Sequence, residues 1–99
     1  MRSVRLLYPA ESVINLLVKL LKLKDYQLLN VDEKAGTIDA IRKRSFRRDL
    51  LLHIQVQKVT DKITGLDLTI HLKRYAGEKS TIPAESQEES LLDSINNYF

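Results

Sequence analysis

Arg42-Lys43-Arg44-Ser45-Phe46-Arg47-Arg48 places five cations and one aromatic within seven residues of this 99-residue chain. Cations at that density attract phosphate oxygens by releasing condensed counterions, and an aromatic among them gives a base a ring to stack on. The same residue types suit the acidic surface of another protein. They also suit a solvated tip that keeps a sheet end soluble while Phe46 folds back onto the core edge. The chain as a whole is +3, so everything outside this cluster sums to −2. The protein is near neutral with a single basic spot. Arg42, Lys43, Arg44, Phe46, Arg47 and Arg48 are therefore the candidate residues for a polyanion such as nucleic acid, or for an acidic protein.

Asp39, His53 and His71 form a second set, whose meaning depends on strand register. If the strands that carry them pair so that His53 faces both Asp39 and His71, with Asn30 beside Asp39, the four make one row with Cβ atoms about 5 Å apart. Two imidazoles and a carboxylate at that spacing can hold Zn²⁺ and leave one position open. They can equally be polar side chains on a wet sheet face, and a two-residue slip in register breaks the row. The remaining inventory for catalysis is thin. There is no cysteine, hence no thiolate ligand or thiol nucleophile. No serine sits in a G-x-S-x-G context, and Gly36, Gly65 and Gly77 are too far apart to cradle a phosphate. The chain is expected to be neither an enzyme nor a cofactor carrier.

The elements that position these residues follow from periodicity. Leu50, Leu52, Ile54 and Val56 alternate with Leu51, His53, Gln55 and Gln57. After Thr60–Gly65 the alternation resumes, with Leu66, Leu68, Ile70 and Leu72 against Asp67, Thr69, His71 and Lys73. A period of two marks strands with one buried face, here two arms of a hairpin. Ser3–Tyr8, Tyr26–Asp32 and Thr37–Arg42 read as three further strands. Glu33-Lys34-Ala35-Gly36 reads as a type I turn closed by a left-handed glycine. Pro9-Ala10-Glu11 opens a helix to about Lys24, whose polar positions Ser12, Asn15, Lys19 and Lys22 fall on one stripe. Its broad apolar arc suits a sheet better than a membrane surface. Arg74–Thr81 reads as a loop. Pro83-Ala84-Glu85-Ser86 repeats the first helix-start string and opens a last helix with Leu91, Leu92, Ile95, Tyr98 and Phe99 on one side.

The order β-α-β-β-β-β-α, with short connections between strands, predicts a single α+β domain over residues 1–99. It is a two-layer sandwich in which an antiparallel meander carries both helices on one face. Leu29, Val31, Ile38, Ala40, Leu52, Ile54, Val56, Leu68, Ile70 and Leu72 are expected on the inner face. Leu28 and Ile41 are expected to adjoin on the outer face, with Leu51 beside Ile41. Three contiguous aliphatics there require a cover from the chain, a ligand or a second copy. No signal-peptide pattern or bilayer-length apolar run is visible. The expectation is a cytoplasmic interaction or structural module that forms a homo-oligomer through Leu28, Ile41 and Leu51 and has no membrane partner. The alternatives are polyanion binding at 42–48 and a metal or small-molecule site at Asp39, His53 and His71.

Overall fold

A computed structural model describes residues 2–99; Met1 lies outside the described residues. Strands β1 (Arg2–Leu6), β2 (Gln27–Asp32), β3 (Thr37–Arg42), β4 (Leu50–Lys58), β5 (Thr64–Leu72) and β6 (Ile82–Pro83) form one antiparallel sheet. Helices α1 (Ala10–Leu23) and α2 (Glu85–Tyr98) pack on one face of it, completing the expected α+β two-layer sandwich with one strand more than the sequence suggests. Across the sheet the strands run β1-β5-β4-β3-β2, and β6 also pairs with β5.

Ile38 and Ala40 of β3, Leu50, Leu52, Ile54 and Val56 of β4, and Leu66, Leu68 and Ile70 of β5 are buried. Over them lie Val13, Ile14, Leu17, Leu20 and Leu21 of α1 and Leu91 and Ile95 of α2. One helix at the observed spacing covers only part of a five-strand width, so both are needed to remove this face from water. The helices do not touch the opposite face. Among the described residues, no helix is long and apolar enough to cross a membrane.

The extra strand comes from the end of the 74–81 loop. Pro83 does not open α2; Ile82 and Pro83 pair with Leu72 and His71, and the helix begins at Glu85. β1 covers β5 only as far as Leu68 and β6 starts at His71, so Ile70 faces the gap between them. Its carbonyl accepts the Ala84 amide at 2.9 Å, and its own amide donates to buried Glu88 Oε2 at 2.8 Å. A side chain from α2 thus completes the ladder where the backbone cannot, as a buried amide requires. At the other end of β5, the buried Thr64 hydroxyl donates to the Tyr8 carbonyl at 2.6 Å and ties the β1–α1 connection to the sheet.

The β2–β3 turn forms as expected. Asp32 Oδ1 accepts the Lys34 and Ala35 amides, and Gly36, with φ of 71°, closes the turn by donating to the Asp32 carbonyl. A Cβ on Gly36 would overlap the Val56 carbonyl oxygen, so glycine is needed there for space as well as for conformation.

Four expectations are corrected. A second irregularity between Leu28 and Asn30 sets Leu28, not Leu29, opposite Ala40. Leu28 consequently turns to the helix side and packs on the core, while the extra residue Leu29 is 58% exposed. Val31 pairs with Ile38 as expected but is 37% exposed, because edge strand β2 is only partly covered on its inner side. Leu72, at the end of β5, is half-buried. Finally, His53 pairs with Thr69, and His71 with Leu51. The Thr60 hydroxyl accepts the Lys62 and Ile63 amides, which centres the hairpin on Asp61 and moves the register by two residues.

The bulge makes Leu29 energetically unlike a core leucine. Leu68→Ala, at a fully buried site, should cost about 2–5 kcal/mol, whereas Leu29→Ala should stay within about 0.5 kcal/mol. Urea unfolding of dilute protein distinguishes the two. Similar losses at both positions would contradict the bulge and the burial that follows from it.

Candidate functional sites at the sheet end and on its open face

The β3–β4 connection, residues 43–49, does not hang free. The Arg44 amide donates to Asp49 Oδ1 at 3.2 Å and Arg44 Nε to the Arg48 carbonyl at 2.9 Å, folding the segment on itself. At the apex Phe46 adopts φ of 63° and is 106% exposed. The ring is thus thrown outward rather than folded back onto the core edge. Arg42 belongs elsewhere. It follows the inner phase of β3 and lines a groove with Lys24 and Tyr26 on the helix side. Burial pushes the Tyr26 hydroxyl up, with Arg42 and then Arg44 pulling the other way.

The register of β4 and β5 places the 73–81 loop beside this connection, and the Lys73 amide donates to the Asp49 carbonyl at 2.8 Å. Arg48 Nη1 meets Glu78 Oε2 at 2.8 Å, and its guanidinium lies 4.0 Å from the centroid of the Tyr75 ring. The other Glu78 oxygen accepts the Tyr75 amide at 3.2 Å. One carboxylate therefore joins the two loops while fixing the backbone of the aromatic that stacks on Arg48. Lys73, expected at the end of the strand, and Arg74, Tyr75 and Lys79, expected in a loop, are functional candidates that the sequence does not mark. The available signal was the hairpin itself, because following β4 and β5 to their open ends brings residue 73 next to residue 49. Arg44, Phe46, Arg47, Arg48 and Tyr75 line one groove of about 570 Å³ together with Glu85.

The open face carries the second candidate site. Ile41 and Leu51 pair directly, and Asn30 and His53 flank Asp39 in the ladder as anticipated. His53 Nδ1 lies 2.6 Å from Asp39 Oδ1, the imidazole N–H donating to the carboxylate. Both groups are substantially exposed, which limits the pair to about 0–1 kcal/mol. His71 stands beside Leu51 rather than beside His53, so the row of metal-ligating side chains is broken. Among the described residues, no three His, Cys, Asp or Glu side chains come together as metal ligands. Instead Leu29, Asp39, Leu51, His53 and His71 line a shallow apolar groove of about 320 Å³. Leu29 takes the place expected of Leu28 in the aliphatic patch with Ile41 and Leu51.

The chain matches no protein-family model and no curated protein.

Linkage gives a test of the loop weld. Its hydrogen bond to Arg48 holds the Glu78 carboxyl below the ordinary 4.5; partial burial opposes this, and the Tyr75 amide and the charges of Arg48 and Arg74 reinforce it. A carboxyl depressed in the folded state stabilises the protein above its unfolded value, and that contribution is lost as pH falls through the folded value. Stability of the native protein should therefore drop more steeply below about pH 4.5 than that of Glu78→Gln. Denaturant unfolding across acid pH measures this, and parallel curves would show that Glu78 does not hold the loops together.

Proposed function

We propose that this protein is a small interaction module without catalysis of its own, working in the cytoplasm and associating with a second copy of itself through the outer face of the sheet. The reading is carried by one observation. Leu29 and Leu51 line the 320 Å³ groove and Ile41 pairs with Leu51 beside it, an aliphatic patch on a face that neither helix covers.

The rest of that face suits burial. Thr37, Gln55 and Thr69 flank the patch as neutral side chains. Asp39 is matched by His53, and Asp67 accepts the Ser3 hydroxyl at 2.6 Å, so the two carboxylates of the central and β1-side strands already have partners. Paired polar groups cost far less to bury than bare ones. Five strands spaced by about 4.8 Å, with nine-residue central strands, give a face of roughly 600 Å². Two such faces would bury about 1,200 Å², the lower end of the range for specific stable interfaces. Two twisted sheets pack in this manner about 10 Å apart with their strands nearly aligned. A two-fold arrangement would set each Leu51 among the partner's copies of the same patch.

Leu51→Lys places a charge in the middle of the patch without disturbing the inner face. It should convert the dimer to a monomer by light scattering and leave the circular dichroism spectrum unchanged. A native protein that is already monomeric at about 100 μM, where even weak association is populated, would overturn the proposal.

A further inference from the structure

The sequence cluster at 42–48 is only half of the charge at its end of the molecule. Residues 43–49 and 73–79 together carry seven cations and two carboxylates, and with Glu85, which lines the same groove, the local net charge is +4. Because the whole chain is +3, everything else is net −1. The β4–β5 register brings both segments to one end of the sheet, and the hydrogen bond from Lys73 to Asp49 and the ion pair of Arg48 with Glu78 hold them together. The field is therefore concentrated at that end, which is the condition for steering a polyanion.

Two aromatics stand within this field. Phe46, at 106% exposure, is the most exposed large apolar side chain of the described residues, and Tyr75 is 60% exposed. Both line the 570 Å³ groove together with Arg44, Arg47 and Arg48. The Tyr75 ring is preordered by the Arg48 guanidinium stacked on it. Arg48 itself is spent on Glu78 and Tyr75, and the Nε of Arg44 on the loop backbone. Arg47 in the groove and Lys43, Lys73 and Lys79 on the two loops that form it remain exposed.

We infer that this two-loop end of the sheet binds single-stranded nucleic acid. Phe46 and Tyr75 take bases by stacking, and Lys43, Arg47 and Lys79 take phosphates. An acidic protein surface would also satisfy the cations, and competition by polyglutamate distinguishes it; rings set directly among phosphate-binding cations match a base-and-phosphate ligand in both its parts. Every base has a π-face, so stacking is tolerant of sequence. Glu85 lines the same groove and Glu78 is engaged by Arg48 and the Tyr75 amide, so the phosphates are assigned to the exposed cations. This surface is distinct from the open sheet face, so the two proposals stand or fall separately.

Fluorescence anisotropy of a labelled oligothymidylate of about 15 nucleotides, titrated with the full chain, tests this. Binding should weaken with salt at a log–log slope of about −2 to −3, corresponding to three or four phosphate contacts. Phe46→Ala with Tyr75→Ala should weaken it roughly tenfold or more with circular dichroism unchanged. Arg47→Glu with Lys79→Glu should abolish it. The same charge change at the opposite end, Lys34→Glu with Lys62→Glu, should leave it unaltered. Four results would overturn the inference: no binding at about 20 mM salt, equal weakening by both charge-reversal pairs, unchanged affinity in the double alanine variant, or competition by polyglutamate as effective as by unlabelled oligothymidylate.

Discussion

The pairing of β4 with β5 is the constraint on which the rest of the molecule depends. Nine residues of each strand align from Leu50 opposite Leu72 to Lys58 opposite Thr64, with every even-numbered residue of β4 from Leu50 to Val56 turned toward the helices. Because the side-chain period is two, this one phase decides what faces each way on both strands. It buries Leu52, Ile54, Leu68 and Ile70 and turns Leu51, His53, Thr69 and His71 to the opposite face, where His53 is exposed and the other three are half-buried. The same register fixes which loops meet at the ends. The weld between Arg48 and Glu78 exists because Leu50 and Leu72 are partners.

That dependence explains what could be read from the residues alone. The strand phases of β3, β4 and β5 were legible, since alternation over nine residues leaves no other choice of buried face. The turn at Gly36 was legible too, because Asp32 and a left-handed glycine close it with local hydrogen bonds. Two-residue registers were not. The Thr60 hydroxyl centres the β4–β5 turn on Asp61, and nothing in the alternation distinguishes that from a turn centred one residue later. The slip keeps every residue on its face and exchanges cross-strand partners on both faces, aliphatic for aliphatic on the inner one. It therefore leaves the core as expected and separates His53 from His71.

The bulge at Leu29 is the other feature that pattern alone does not show. Leu28 and Leu29 are chemically alike, so no sequence signal says which one faces the helices. The structure turns Leu28 inward and Leu29 outward, and in doing so keeps three aliphatics on the open face with one member exchanged. At the sheet end the sequence marked Arg44, Phe46, Arg47 and Arg48. Tyr75 and its neighbouring cations became visible only when the two loops were placed side by side. Short strand β6 went unread for a related reason. A Pro-Ala-Glu string resembles a helix start, and only the vacant edge of β5 makes Ile82 and Pro83 a strand.

The molecule thus has a neutral, partly aliphatic face and a strongly cationic end, each set by the same hairpin. The more central of these to the proposed role is the face, because it is the larger surface and is left uncovered by both helices. Nuclear magnetic resonance of the amide-labelled protein, recorded over concentrations from about 20 μM to 1 mM, examines it residue by residue. Concentration-dependent shifts should cluster on Leu29, Asp39, Ile41, Leu51, His53 and His71 and spare the exposed side of α1. Spectra that do not change with concentration, or shifts that fall on the helices instead, would contradict association through the open face of the sheet.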